Sequence, residues 1–191
     1  MKKIISLFQR NYDGDYLVRN EVVPNADWVI QGEGEATLKL DGECYLIEDN
    51  KLYRRHEVRQ GKKRPIDFRP AQDPDRVTGH EVGWVPVHSS DSACKWAIEA
   101  IPTHDPSSCG MKDGTFELLG PKVQGNPYGL DKHVFFIHGH IPIEAPRTFD
   151  ALREWFRDNE IEGIVWHHPD GRMVKIKRKD FGYPWPIPQE K

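Results

Sequence analysis

The sequence predicts an α+β domain of antiparallel sheets with few helices. Short strand-like runs outnumber helical ones, loops rich in Pro, Gly and Asp separate them, and one segment alone has convincing helical periodicity. At 191 residues the chain is expected to form one domain spanning 1–191. Folding at this length buries about 70% of the unfolded chain's surface, so neither disulfides nor a structural metal is required for a core.

The strand-like runs are ATLKL (36–40), CYLIE (44–48), EVGWVPV (81–87), TFELL (115–119), HVFFI (133–137), GIVWHH (163–168) and RMVKIK (172–177). Loops such as RPAQDPDRVTGH (69–80) and IPTHDPSSCGMKDG (101–114) separate them. In RTFDALREWFRDNE (147–160), Phe149, Leu152, Trp155 and Phe156 fall on one helical face, with Thr148 as N-cap. SACKWAIEAI (92–101) fits strand or helix.

The first two runs meet at Asp41-Gly42, a hairpin signal. Alternation there puts Lys39 and Asp41 on one face, with Leu38 and Leu40 on the other. A second hairpin, EGIVWHHPDGRMVKIKRK, turns at Pro169-Asp170-Gly171. With an even number of loop residues, Glu162 shares a face with Lys175 and Lys177 while Val174 and Ile176 point to the core. The same parity turns Val165 away from Glu162, so a bend or bulge is needed for both to serve one site. Two lysines aimed together into a pocket are costly unless an anion sits between them; on an open sheet face the Glu–Lys pair is worth at most about 1 kcal/mol.

The net charge of −3 argues on its face against nucleic acid. Between Lys51 and Arg69, however, eight Lys/Arg stand against Glu57 and Asp67, a local net of +6, and Arg172–Lys179 adds five more without an acid. Local anion sites follow, or else two solvated faces. No secretory signal and no membrane span is evident, and Cys44, Cys94 and Cys109 are a poor basis for disulfides, so a reducing, cytoplasmic compartment is expected. The cysteines read as small packing residues. His138/His140 and His167/His168 lack structural zinc spacing, and the adjacent pair points to opposite faces of a strand. Trp84, Trp96, Trp155 and Trp166 read as core, and the PWPIP tail (184–188) as a strap on the sheet.

Taken in order, KLDG (39–42), the Arg-rich segment around Arg55, TFEL (115–118), EGIV (162–165) and KIK (175–177) resemble the nucleotidyltransferase motifs of ATP-dependent ligases and capping enzymes. GPKVQGNPYGL (120–130), TGHEVGWVPV (78–87) and IEGIVWHHPDGRMVKIKR (161–178) are similar to the compact, single-domain 5′–3′ RNA ligases, the group that includes the vertebrate enzyme. The resemblance spans about residues 24–186 and implies a nucleotidyltransferase fold of antiparallel sheets flanked by a few helices. Only 14 residues follow Lys177, so no C-terminal oligonucleotide-binding barrel is expected.

The resemblance implies that Lys39 attacks the α-phosphate of ATP to form a lysyl–AMP, with Asp41 orienting it. Lys175 and Lys177 would bind the α-phosphate and lower the pKa of the nucleophile. Glu117 would hydrogen-bond the ribose hydroxyls, and Glu162 would hold Mg²⁺ or Mn²⁺ through water. Adenine would lie between Phe135 and Val165, with Thr37 near its exocyclic amine and Leu38 beside the nucleophile in the nucleotide site. Arg55, then Arg59, matches the phosphate-contacting arginine. The substrate implied is RNA with 5′-phosphate and 3′-hydroxyl ends, its phosphates met by the 51–69 cluster of a monomer. Rival readings are a catalytically silent RNA-binding module on the same fold, and a relative that uses GTP or acts on DNA ends.

Overall fold

The computed structural model describes residues 1–101 and 112–187, and the expected runs all form strands there. The chain runs β1 (Ile5–Ser6), β2 (Phe8–Arg10), β3 (Val18–Val22), the one-turn α1 (Asp27–Ile30), β4 (Glu35–Lys39), β5 (Glu43–Glu48), β6 (Lys51–Val58) and β7 (Arg69–Pro70). It continues through β8 (Glu81–Pro86), α2 (Lys95–Ala100), β9 (Gly114–Leu119), β10 (Val134–Ile137), α3 (Phe149–Asp158), β11 (Gly163–His167) and β12 (Met173–Lys177). Mixed α+β architecture with mostly antiparallel pairing and few helices follows, as the sequence predicts. Cys109 lies outside the described residues, and no helix among the described residues is long and apolar enough to cross a membrane.

These elements form two compact units, Met1–Lys3 with Asp41–His138 and Ile4–Leu40 with Gly139–Lys191. The first unit is built on a six-stranded antiparallel sheet in the order β10-β9-β5-β6-β8-β7. Alternation divides its faces. Tyr45, Ile47, Phe116 and Leu118 point to a core completed by Leu52 and by Ala97 of α2. Cys44, Thr115 and Glu117 point the other way, as the pairings Cys44↔Glu117 and Tyr45↔Phe116 require. The 92–101 segment resolves as helix because Ala97, Ile98 and Ile101 recur at helical spacing on that core, and Asp91 accepts the Ala93 N–H at 3.0 Å at the entry turn.

The second unit holds a four-stranded sheet in the order β1-β12-β11-β4, parallel only between β1 and β12, beside the β2-β3 pair. Ile164, Trp166, Val174 and Ile176 are all at most 1% exposed on one face, packed with Leu152 and Phe156 of α3. Each such side chain contributes roughly 1.5–3 kcal/mol of burial. Phe149 and Trp155 pack half-buried on the same cluster, so the predicted helical face is the observed one. Thr148 does occupy the N-cap but makes no side-chain capping bond. Trp84 and Trp166 are buried, while Trp96 and Trp155 pack half-buried against the two cores.

Two readings are corrected. Asp41-Gly42 is not a hairpin turn: β4 pairs with β11, and β5 pairs with β6 and β9. Gly42 is instead required by close approach, since a Cβ there would stand 2.2 Å from the Leu118 carbonyl oxygen. The second hairpin does form, but three residues separate the bonded pair His168 and Arg172, so odd positions oppose odd. Val165 therefore shares a face with Lys175, and no bulge is needed to bring it there.

Candidate active site

The lysine-rich face of the second unit follows from register. Gly163 pairs with Lys39 on one side and Lys177 on the other, and Val165 pairs with Thr37 and Lys175. Cross-strand partners share a face, so Thr37, Lys39, Val165, Lys175 and Lys177 point together, opposite the apolar set. Leu38 pairs with the fully buried Ile164 and belongs to that opposite face, leaving only its backbone beside Lys39. Gly163 keeps the space between the flanking lysines open: a Cβ there would meet the Ile176 carbonyl oxygen at 2.5 Å and Lys177 Cγ at 3.3 Å.

Glu162 stands in a bend just ahead of β11, where strict alternation no longer governs its direction. Its Oε2 lies 2.9 Å from Lys39 Nζ, and the carboxylate is only 4% exposed. Lys39 Nζ also donates to the Leu40 carbonyl at 3.3 Å. Burial pulls the Lys175 ammonium down to about 8, with Lys39 and Lys177 adding repulsion and Glu162 and Asp180 opposing it. An anion brought to this face would remove that repulsion. At the base of the strands Thr37, 5% exposed, donates to the Val165 carbonyl at 3.3 Å and lies 2.9 Å from His167 Nε2.

Asp41, Arg55, Arg59, Glu117 and Phe135 belong to the first unit. The backbone N–H of Asp41 donates to Tyr128 Oη at 2.7 Å. Glu117 accepts the Gly42 N–H on Oε1 at 2.9 Å and faces His138 Nε2 with Oε2 at 2.6 Å. Phe135 pairs with Leu118 and makes edge contacts with Tyr45 and Phe116, so it lies on the core side, away from Glu117. Phe136 pairs with Glu117 and is the ring on that carboxylate's face. Two adjacent phenylalanines in VFFI are told apart only by register.

Arg55 stacks on Trp84 at 4.9 Å and donates to the Met1 carbonyl, whereas Arg59 is exposed just past β6. The basic clusters divide on inspection. Arg64 pairs with Glu81 at 2.6 Å, Arg69 pairs with Glu48, and Arg178 is buried against the carbonyls of Asn159 and Pro184. Arg59, Lys62 and Lys63 are exposed and have no acidic partner among the described residues. His167 and His168 do point to opposite faces, one to Thr37 and the other to Glu33 and the Trp28 ring.

Fold and site together define a mixed α+β protein whose sheet face gathers lysines around one buried carboxylate. The RNA ligase 1 family model matches residues 88–191, more than half of the chain. RNA ligase 1 of Rattus norvegicus is 34% identical over 140 residues, covering 58% of this chain and 43% of that protein. The Pongo abelii protein of the same name is 31% identical over 165 residues, 66% of this chain and 51% of its own, and that of Danio rerio 32% over 139 residues, 57% and 43%. The chain thus spans about half the length of the curated relatives it matches. It belongs to the RNA ligase 1 family.

Proposed function

We propose that the chain is an ATP-dependent RNA ligase on a nucleotidyltransferase fold, joining 5′-phosphate and 3′-hydroxyl ends through a lysyl–AMP on Lys39. The observation that carries this is the Lys39–Glu162 contact at 2.9 Å on the face that also bears Lys175 and Lys177. Lysine attacks as the free amine, so its proton must leave first; repulsion from Lys175 and Lys177 on the same face favours that loss, while the Glu162 carboxylate holds the side chain in place and opposes it. The Lys39 amine then attacks the α-phosphorus of ATP, the P–N bond forms, and pyrophosphate departs with the electrons of the broken P–O bond. Lys175 and Lys177 hold the charge that develops on the phosphoryl oxygens.

AMP next passes to an RNA 5′-phosphate, regenerating the Lys39 amine. A 3′-hydroxyl attacks the activated phosphate and AMP leaves. The sequence resemblance assigns Asp41 the orientation of Lys39, and Glu117 the ribose hydroxyls. The same resemblance assigns Thr37, Val165 and Phe135 to the adenine; within the first unit it is Phe136, not Phe135, that shares the face of Glu117. Glu162 suits Mg²⁺ or Mn²⁺, since one carboxylate with waters and substrate phosphates is the usual donor set. Such an ion supplies neutralisation of phosphate charge when bound.

The test is to incubate the protein with divalent metal and radiolabelled ATP or GTP and follow the denatured protein on a gel. Label from ATP in wild type, lost in Lys39→Ala, is the expected result. Absence of label, or equal label in the variant, removes the ligase reading and favours a silent RNA-binding module. Label from GTP reassigns the base, and ligation assays on 5′-phosphorylated RNA and DNA separate those substrates.

A further inference from the structure

Cys44, Glu117 and His138 meet on the first unit's sheet, with one potential ligand atom from each within 4.8 Å of the others. Long-range pairing creates the cluster. Cys44 and Glu117 are direct partners across β5 and β9, and the His138 N–H donates to the Thr115 carbonyl at 3.1 Å, which seats the imidazole one step along the same face. The carboxylate is already oriented, because Oε1 takes the Gly42 N–H at 2.9 Å and leaves Oε2 toward the histidine. Outer contacts of this kind fix ligands in metal sites.

His138 turns Nε2 to Glu117 at 2.6 Å, so Nε2 is the nitrogen offered to the cluster; its Nδ1 is buried with no hydrogen-bond partner among the described residues. Thiolate, imidazole and one carboxylate form a donor set for Zn²⁺ rather than for the hard ions Mg²⁺ and Ca²⁺.

We propose that Cys44, Glu117 and His138 form a three-ligand site for Zn²⁺, with a fourth position open to water. Binding as thiolate releases the Cys44 thiol proton, while His138 binds through Nε2 as neutral imidazole with its proton on Nδ1. The coordinated Glu117 carboxylate is then withdrawn from other partners. Given the proposed role of Glu117 at the ribose, Zn²⁺ and nucleoside exclude one another, so Zn²⁺ acts as an inhibitor distinct from the metal that assists catalysis.

Cobalt(II) is the probe, because thiolate ligation gives a near-ultraviolet charge-transfer band that neither Mg²⁺ nor catalysis produces. Wild-type protein titrated with Co²⁺ should show the band at one equivalent and lose it on adding one equivalent of Zn²⁺. Cys44→Ser should abolish it, and His138→Gln should weaken Co²⁺ binding at least tenfold, with circular dichroism confirming that both variants fold. No band, or an undiminished one in Cys44→Ser, overturns the site. Adenosine, which has the ribose hydroxyls but no chelating phosphates, tests the coupling separately. It should raise the apparent Co²⁺ dissociation constant. A wild-type band unmoved by saturating adenosine leaves the metal site standing and removes the ribose role of Glu117.

Discussion

Lys39 Nζ and Glu162 Oε2 are 2.9 Å apart although Glu162 lies outside the strand that pairs with Lys39. The bend before β11 frees that carboxylate from the sheet's alternation, and the pair holds one ammonium of a crowded face in place. Glu162→Gln keeps the shape and removes the charge. It should cut adenylation of Lys39 at least about tenfold, a loss of about 1.4 kcal/mol in transition-state stabilisation. It should also lower stability by about 1–3 kcal/mol, because the Lys39 charge loses its counter-ion. Single-turnover labelling and urea midpoints read the two effects, and unchanged labelling would remove Glu162 from the site.

Lys175 carries a stability cost that depends on pH. Its folded pKa is about 8, against roughly 10.4 for an unfolded lysine. Between these values the unfolded chain binds a proton the folded chain lacks, so stability rises with pH across that window. Below about pH 8 the penalty is constant, with about 3 kcal/mol as its upper bound. Lys175→Met should therefore be more stable than wild type at pH 7, with the advantage shrinking by pH 9.5, while adenylation collapses. Urea midpoints of both proteins at three pH values decide it, and a gap that stays constant with pH would contradict the assignment.

Gly163 is the spacer between Lys39 and Lys177 in register. Its φ needs no glycine, but its surroundings do, because the Ile176 carbonyl oxygen would stand 2.5 Å from an added Cβ. Gly163→Ala must push β11 and β12 apart, at about 1–3 kcal/mol by the cost of overpacking. The lysine face should lose adenylation along with it. Chemical denaturation and labelling together check this, and wild-type values in both would show that the strands yield freely.

The strands and α3 are legible in the sequence because apolar residues recur there with clean periods, as in Val174 and Ile176 or Leu152 and Phe156. The segment Lys51–Val58 is not, since Arg54 and His56 sit where alternation should show apolar side chains. Arg54 nonetheless pairs with Tyr45, on the core side, where a long aliphatic stem can pack. The lysines of the site are readable one strand at a time, but their common face depends on pairing β4 with β11, more than a hundred residues away. The same holds for Cys44 beside Glu117. The Asp41-Gly42 signal misleads because turn chemistry is local, whereas the partners of the two flanking strands are distant.

Arg59, Lys62 and Lys63 are neighbouring exposed cations of the 51–69 cluster that, like Lys51 at its start, make no salt bridge among the described residues, whereas Arg64 and Arg69 are held by Glu81 and Glu48. Each phosphate contact to a single strand contributes roughly 0.7 to the slope of log affinity against log salt. Replacing all three with Ala should therefore reduce that slope for single-stranded RNA by about 2 and weaken binding regardless of sequence. Arg64→Ala should change the slope less, because its charge already has a partner and its removal also leaves Glu81 to repel phosphate. Filter binding over a range of salt concentrations distinguishes the two. An unchanged slope in the triple variant, or an equal drop in Arg64→Ala, would move the RNA path away from this loop.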